Sequence, residues 1–159
     1  MRSIQLFAVP LALAFCVSTS YAQETDTKTD FTKVAKMLHG EWAGDAEMTA
    51  EEIKKMDDEN VEAMKDMILE QVGSMEVIFK DGTYDVAMAG MELAGTWKVT
   101  DAAKKDDTQV VNIHTVPEEG TQGEEKNFEI HFVGDKHIKM IDSDGGPPIV
   151  LARKEKEKD

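Results

Sequence analysis

The sequence predicts a mainly β protein: an antiparallel up-and-down meander of about eight strands forming a small barrel, with a short N-terminal helix and one long helix inserted between strands 1 and 2; an open, strongly bent sheet covered by that long helix is the alternative. Three observations carry that expectation. From Met75 onward, apolar residues recur at every second position in short runs, separated by turn pairs such as Asp81-Gly82 and Gly134-Asp135. Between Thr49 and Gly73 the period is instead helical. The chain has two tryptophans, and each follows a glycine by two positions, in Gly40-Glu41-Trp42 and Gly95-Thr96-Trp97. In a strand that spacing puts the small residue and the large ring on one face.

The elements follow in order. Residues 1–22 have the form of a secretory signal peptide: Arg2 as the positive start, an apolar run from Ile4 to Val17, and Ser20-Tyr21-Ala22 before a cleavage point at Gln23. The run is too short for a comfortable membrane span. Phe15 before Cys16 is bulkier than lipoprotein processing prefers, so a secreted or periplasmic product without a lipid anchor is expected. The remaining 137 residues suit one domain and carry no cysteine, which excludes disulfides and thiolate chemistry. Gln23 to Asp30 is polar and without period, as in a disordered leader. Phe31, Val34, Ala35 and Leu38 are spaced for a short helix that Asp30 can start and Gly40 can stop.

Gly40 to Met48 reads as the first strand, with Trp42 inward. Thr49 and Glu52 form a capping box for a helix reaching Gly73, whose stripe of Ile53, Met56, Met64, Met67 and Ile68, with Val61 at its edge, must lie on something apolar. Met75, Val77 and Phe79 then alternate. Counting outward from Asp81-Gly82 pairs Phe79 with Tyr84 and Val77 with Val86. Counting from Ala89-Gly90 pairs Met88 with Met91, Val86 with Leu93 and Tyr84 with Gly95. Asp101 to Asp107 reads as a polar turn, Thr108 to Val116 as strand five, and Pro117 to Glu125 as a loop. Phe128, Ile130 and Phe132 mark strand six, and Ile138 and Met140 mark strand seven. Asp142 to Pro148 is a loop, Ile149 to Arg153 strand eight, and 154–159 a charged tail. The domain thus spans 31–153.

This layout resembles the calycin superfamily, the lipocalins and fatty-acid-binding proteins, and small secreted bacterial proteins of lipocalin-like type in particular. A short helix leads into Gly40-Glu41-Trp42, which looks like the lipocalin first-strand Gly-x-Trp. Arg153 on the last strand resembles the arginine that packs across that tryptophan, and a helical insert after strand 1 is similar to the fatty-acid-binding proteins. The lipocalin Thr-Asp-Tyr motif has no counterpart, and the insert reads as one helix where the relatives have a pair. The resemblance implies a barrel that holds a small hydrophobic ligand and a structural Trp42–Arg153 pair.

The inward parity gives a candidate interior of Trp42, Phe79, Tyr84, Met88, Leu93, Trp97, Phe128, Phe132 and Met140, with Met56, Met64 and Met67 as a lid. Methionines and aromatics suit an adaptable apolar pocket and equally a filled core. A non-catalytic structural or protein-interaction module with a packed core and an acidic surface is therefore the alternative. Formal net charge is −14 and becomes −15 without Arg2, a field that repels nucleic acid and anionic headgroups. The expected partner is a small apolar molecule; no protein partner is specified. The methionine stripe fits a buried helix face better than a Cu(I) site. His39, His114, His131 and His137 lack metal-ligand spacing, and Asp142-Ser143-Asp144-Gly145-Gly146 lacks the closing glutamate of a calcium loop. No cofactor or metal is expected, and no catalytic motif appears.

Overall fold

The structure is a computed structural model describing residues 31–121 and 123–155. The expected signal peptide, the expected polar leader and most of the charged tail lie outside the described residues. Helix α1 (Phe31–Leu38) leads into strand β1 (Gly40–Gly44). Helices α2 (Ala46–Lys54), α3 (Glu59–Ala63) and α4 (Lys65–Gly73) follow. Strands β2 (Glu76–Phe79), β3 (Thr83–Met88), β4 (Met91–Lys105), β5 (Thr108–Pro117), β6 (Lys126–Val133), β7 (His137–Asp142) and β8 (Ile149–Arg153) complete the chain. Each strand pairs antiparallel with the next, and β8 returns to β1, with Trp42 opposite Arg153. The eight strands form a closed barrel, an architecture compatible with a lipocalin-like fold, and closure leaves no edge strand unpaired.

Both hairpin registers counted from the turn pairs hold: Phe79 faces Tyr84, Val77 faces Val86, Met88 faces Met91 and Tyr84 faces Gly95. Ala89 and Gly90 both take positive φ, as the tightest hairpin turn requires. Gly95 has no room for a side chain. A Cβ there would lie 2.3 Å from the Val116 carbonyl oxygen and 2.8 Å from the Tyr84 ring. The first Gly-x-Trp has a different cause. Gly40 sits at φ +132°, where L side chains are strained, and its missing Cβ leaves space for the Arg153 guanidinium.

Arg153 lies 4.2 Å above the Trp42 ring and donates from Nη1 to the His39 carbonyl at 2.9 Å and from Nη2 to the Met37 carbonyl. Those are orphan carbonyls at the end of α1, so one side chain caps the helix and stacks on the indole. Trp42 is 1% exposed and donates from Nε1 to the Leu38 carbonyl at 2.8 Å. Trp97 is 6% exposed. Its Nε1 reaches the carbonyls of Lys80 and Thr83, and its ring meets Phe79 edge-on at 5.4 Å. Both indoles belong to one core cluster with Leu38, Phe79, Val111, Ile113, Ile138 and Leu151. Helix α1 closes that end of the barrel.

The structure corrects three expected elements. The insert is three short helices, not one long one. Asp58 takes extended φ and ψ and accepts from the backbone N–H of Asn60 and Val61, so a local side-chain bond replaces helix continuation after Lys55. The chain then folds back, and α4 packs against α2. Strand β1 stops at Gly44, not Met48, because Asp45 accepts from the Met48 N–H at 2.9 Å and is the true N-cap of α2. Thr49 is therefore not a cap. It is fully buried inside α2, and its hydroxyl accepts from the Val150 N–H on β8 at 3.0 Å. Residues 101–105 are strand, not turn. A bulge between Val99 and Asp101 breaks the alternation, after which Ala102 points inward opposite Val111. The turn is only Asp106-Asp107, both at positive φ.

Candidate functional site

Strand direction sorts the barrel into two ends. Residue 40, the 80–82 and 106–107 turns, the 134–136 turn and residue 153 lie at the α1 end. Helices α2 to α4, the 89–90 turn and the loops 118–125 and 143–148 lie at the other. The second end is hollow. A cavity of about 580 Å³ is walled by Val77, Phe79, Tyr84, Val86, Met88, Leu93, Ile113, Phe128, Met140 and Ile149. Met64, Ile68, Gln71 and Val72 of the helical insert roof one side, and Gly123, Glu124, Lys126, Asp142, Gly145, Gly146 and Pro147 form the mouth.

Six of the nine candidate interior residues line this cavity: Phe79, Tyr84, Met88, Leu93, Phe128 and Met140. Trp42, Trp97 and Phe132 do not. They point inward but lie nearer the α1 end, where the two indoles are packed solid and Phe132 rests on the core opposite Ile138. Of the expected lid residues only Met64 reaches the cavity. Met56 is half-buried away from it, and Met67 is 52% exposed on the outside of α4. The break at Asp58 rotates the stripe, so Ile68 and Val72 cover the opening instead. Met75, Val77, Val86, Ile113 and Ile149 had inward parity as their signal; the loop residues of the mouth had none.

The cavity wall is almost free of polar groups. Thr115, 6% exposed, donates its hydroxyl to the Lys126 carbonyl at 3.2 Å. Among the described residues no buried side-chain nitrogen or oxygen lacks a hydrogen-bond partner. Burial raises the Tyr84 hydroxyl above its ordinary pKa, so it stays neutral at physiological pH. The ionic groups collect at the mouth, where Lys126 Nζ pairs with Asp142 Oδ2 and the Asp144 N–H donates to Asp142 Oδ1 at 3.0 Å. Burial alone would raise the Asp142 carboxyl, but the Lys126 and Asp144 hydrogen bonds outweigh it and hold it below the usual range. The Asp142 hydrogen bond, with the charges of Asp142, Asp144 and Glu124 around it, raises Lys126.

Each histidine sits beside a carboxylate, His39 with Asp81, His114 with Glu125, His131 with Glu129 and His137 with Asp45. Register places His114 opposite Asn127 and His131 opposite Val110, so the two do not converge. Among the described residues no three His, Cys, Asp or Glu side chains are grouped to hold a metal ion, and no helix is long and apolar enough to cross a membrane. No family model matches the chain, and no curated protein or solved structure matches it.

Proposed function

We propose that the protein is a lipocalin-like barrel that binds a small hydrophobic molecule without transforming it, and that it works outside the cytoplasm, secreted or periplasmic, after loss of residues 1–22. The observation that carries the reading is the apolar cavity of about 580 Å³. That size lies within the range of small-ligand pockets, roughly 300–1,000 Å³. A core meant only for packing fills such space, because lining atoms without neighbours forfeit dispersion contacts. The hollow end supports this reading over a packed interaction module. Among the described residues every fully buried side-chain nitrogen and oxygen is already paired, so the wall favours an apolar occupant. Each buried CH₂ of such an occupant contributes about 0.8 kcal/mol. A tail of eight to ten carbons therefore contributes about 6–8 kcal/mol before the costs of association are subtracted.

The test is a titration with a neutral naphthylamine dye whose emission rises in apolar surroundings, on the wild type and on Val86→Trp/Met140→Trp. The expected result is saturable one-to-one uptake by the wild type and loss of uptake in the double variant, with far-UV circular dichroism unchanged. Non-saturable uptake, or equal uptake by a folded double variant, overturns the reading.

A further inference from the structure

The geometry points to a ligand class for this cavity: amphiphiles with a cationic head group, the apolar tail inside the barrel and the head at the mouth beside Glu124, Asp142 and Asp144. The inference rests on the proposed ligand-binding function and narrows it. The first step is where a polar head can go. Among the described residues no fully buried side-chain donor or acceptor lacks a partner, the Thr115 hydroxyl is bonded to the Lys126 carbonyl, and the other polar side chains above the mouth, Tyr84 and Gln71, are uncharged. The α1 end is sealed by Trp42, Trp97, Phe79 and Leu38. A charged head group drawn inside would lose its water and gain no charged partner. It therefore stays at the mouth.

The second step is the charge that it meets there. The side chains of the mouth include one cation, Lys126, and it is already engaged with Asp142. Glu124 lines the same opening, and Asp144 is held next to Asp142 by its N–H bond to that carboxylate. Lys126 offsets one of these three carboxylates and leaves a net negative mouth. The two loops that frame it, 118–125 and 143–148, add Glu118, Glu119 and Glu125 and contain no lysine or arginine. A carboxylate head would have to displace Asp142 from Lys126 and then face the remaining acids. An ammonium head finds two carboxylates without disturbing the ion pair. The formal charge of −14 on the whole chain steers cations in the same sense.

Displacement of the neutral dye by three ligands with one ten-carbon tail tests this: decylamine, which is protonated at neutral pH, 1-decanol and decanoate, each below its aggregation threshold. At low salt decylamine should displace the dye at a concentration about tenfold below decanoate, with decanol between them, and added salt should narrow the gap. Glu124→Gln/Asp144→Asn leaves the Lys126–Asp142 pair in place. It should reduce the decylamine preference several-fold and leave decanol unchanged, which also shows that the cavity is intact. Decanoate equal to or better than decylamine, or a preference unmoved by the double variant, overturns the cationic head while leaving the binding function standing. If none of the three displaces a saturably bound dye, the cavity does not take amphiphiles and this inference fails. If the dye itself does not bind, the binding function fails and this inference with it.

Discussion

Trp42 is the residue through which the closed end of the barrel holds together, and truncating it gives the sharpest test of that packing. The indole is 1% exposed, donates to the Leu38 carbonyl at 2.8 Å and carries the Arg153 guanidinium 4.2 Å above its face. Trp42→Ala removes the buried ring and leaves a void that the stiff barrel collapses into only partly, a loss of about 3–5 kcal/mol. Trp42→Phe separates the contributions. It keeps most of the apolar volume and a face for Arg153 but strands the Leu38 carbonyl, at a cost of about 1–3 kcal/mol. Arg153→Met in the Trp42→Phe background should cost less than Arg153→Met in the wild type, because the better π partner is already gone. Urea unfolding followed by far-UV circular dichroism measures all four proteins without relying on the fluorescence of the mutated ring. A loss below about 1 kcal/mol for Trp42→Ala would mean that the ring is not packed as described.

Other outcomes follow from single contacts. Gly95→Val should destabilise by at least about 1–3 kcal/mol, read from urea midpoints, because its Cβ meets the Val116 carbonyl and the Tyr84 ring; a neutral result contradicts the β3–β4 register. Asp58→Ala should cost about 0.5–2 kcal/mol through loss of the α3 cap, and amide hydrogen exchange should show the added opening in α3. Glu52 bonds Lys55 and reaches Lys139 on β7, and chiefly the Lys55 bond holds its carboxyl below the ordinary range. Its contribution is therefore present above that range and lost as pH falls through the folded value. Glu52→Gln should lower stability at pH 7 by no more than about 1 kcal/mol and flatten the acid limb of the stability profile. An unchanged acid limb would exclude a role for that pair.

Much of the fold was legible because hairpin registers are local. Asp81-Gly82 and Ala89-Gly90 each decide a pairing within ten residues, and the apolar sets agree only in the observed register. What failed were the places where a tertiary partner overrides a local pattern. Thr49 looks like a cap in sequence, but the barrel needs its hydroxyl for the Val150 N–H. The bulge after Val99 hides Ala102 among charges, since nothing local marks a change of phase. The apolar stripe predicts one long helix, and the local bonds of a single aspartate, Asp58, are enough to end it. For the site, parity separated inside from outside, yet it carries no depth along the barrel axis. Trp42 and Phe128 share the inner face, but α1 fills the space around the first and leaves the second beside a cavity. The mouth was illegible because it is made of two loops, 118–125 and 143–148, which carry no alternation to place their side chains and meet where β6 pairs with β7.

The hollow end of the barrel is the claim on which the functional account stands, and the methionines report on it directly. Met64, Met75, Met88 and Met140 line the cavity, whereas Met37, Met48, Met56, Met67 and Met91 do not. With ¹³C-methyl methionine labelling, titration with 1-decanol should shift the first four methyl signals saturably and leave the other five in place. Shifts confined to the exposed Met67 and Met91, or no saturable shift at all, would show that the ligand stays outside the barrel and would contradict the account.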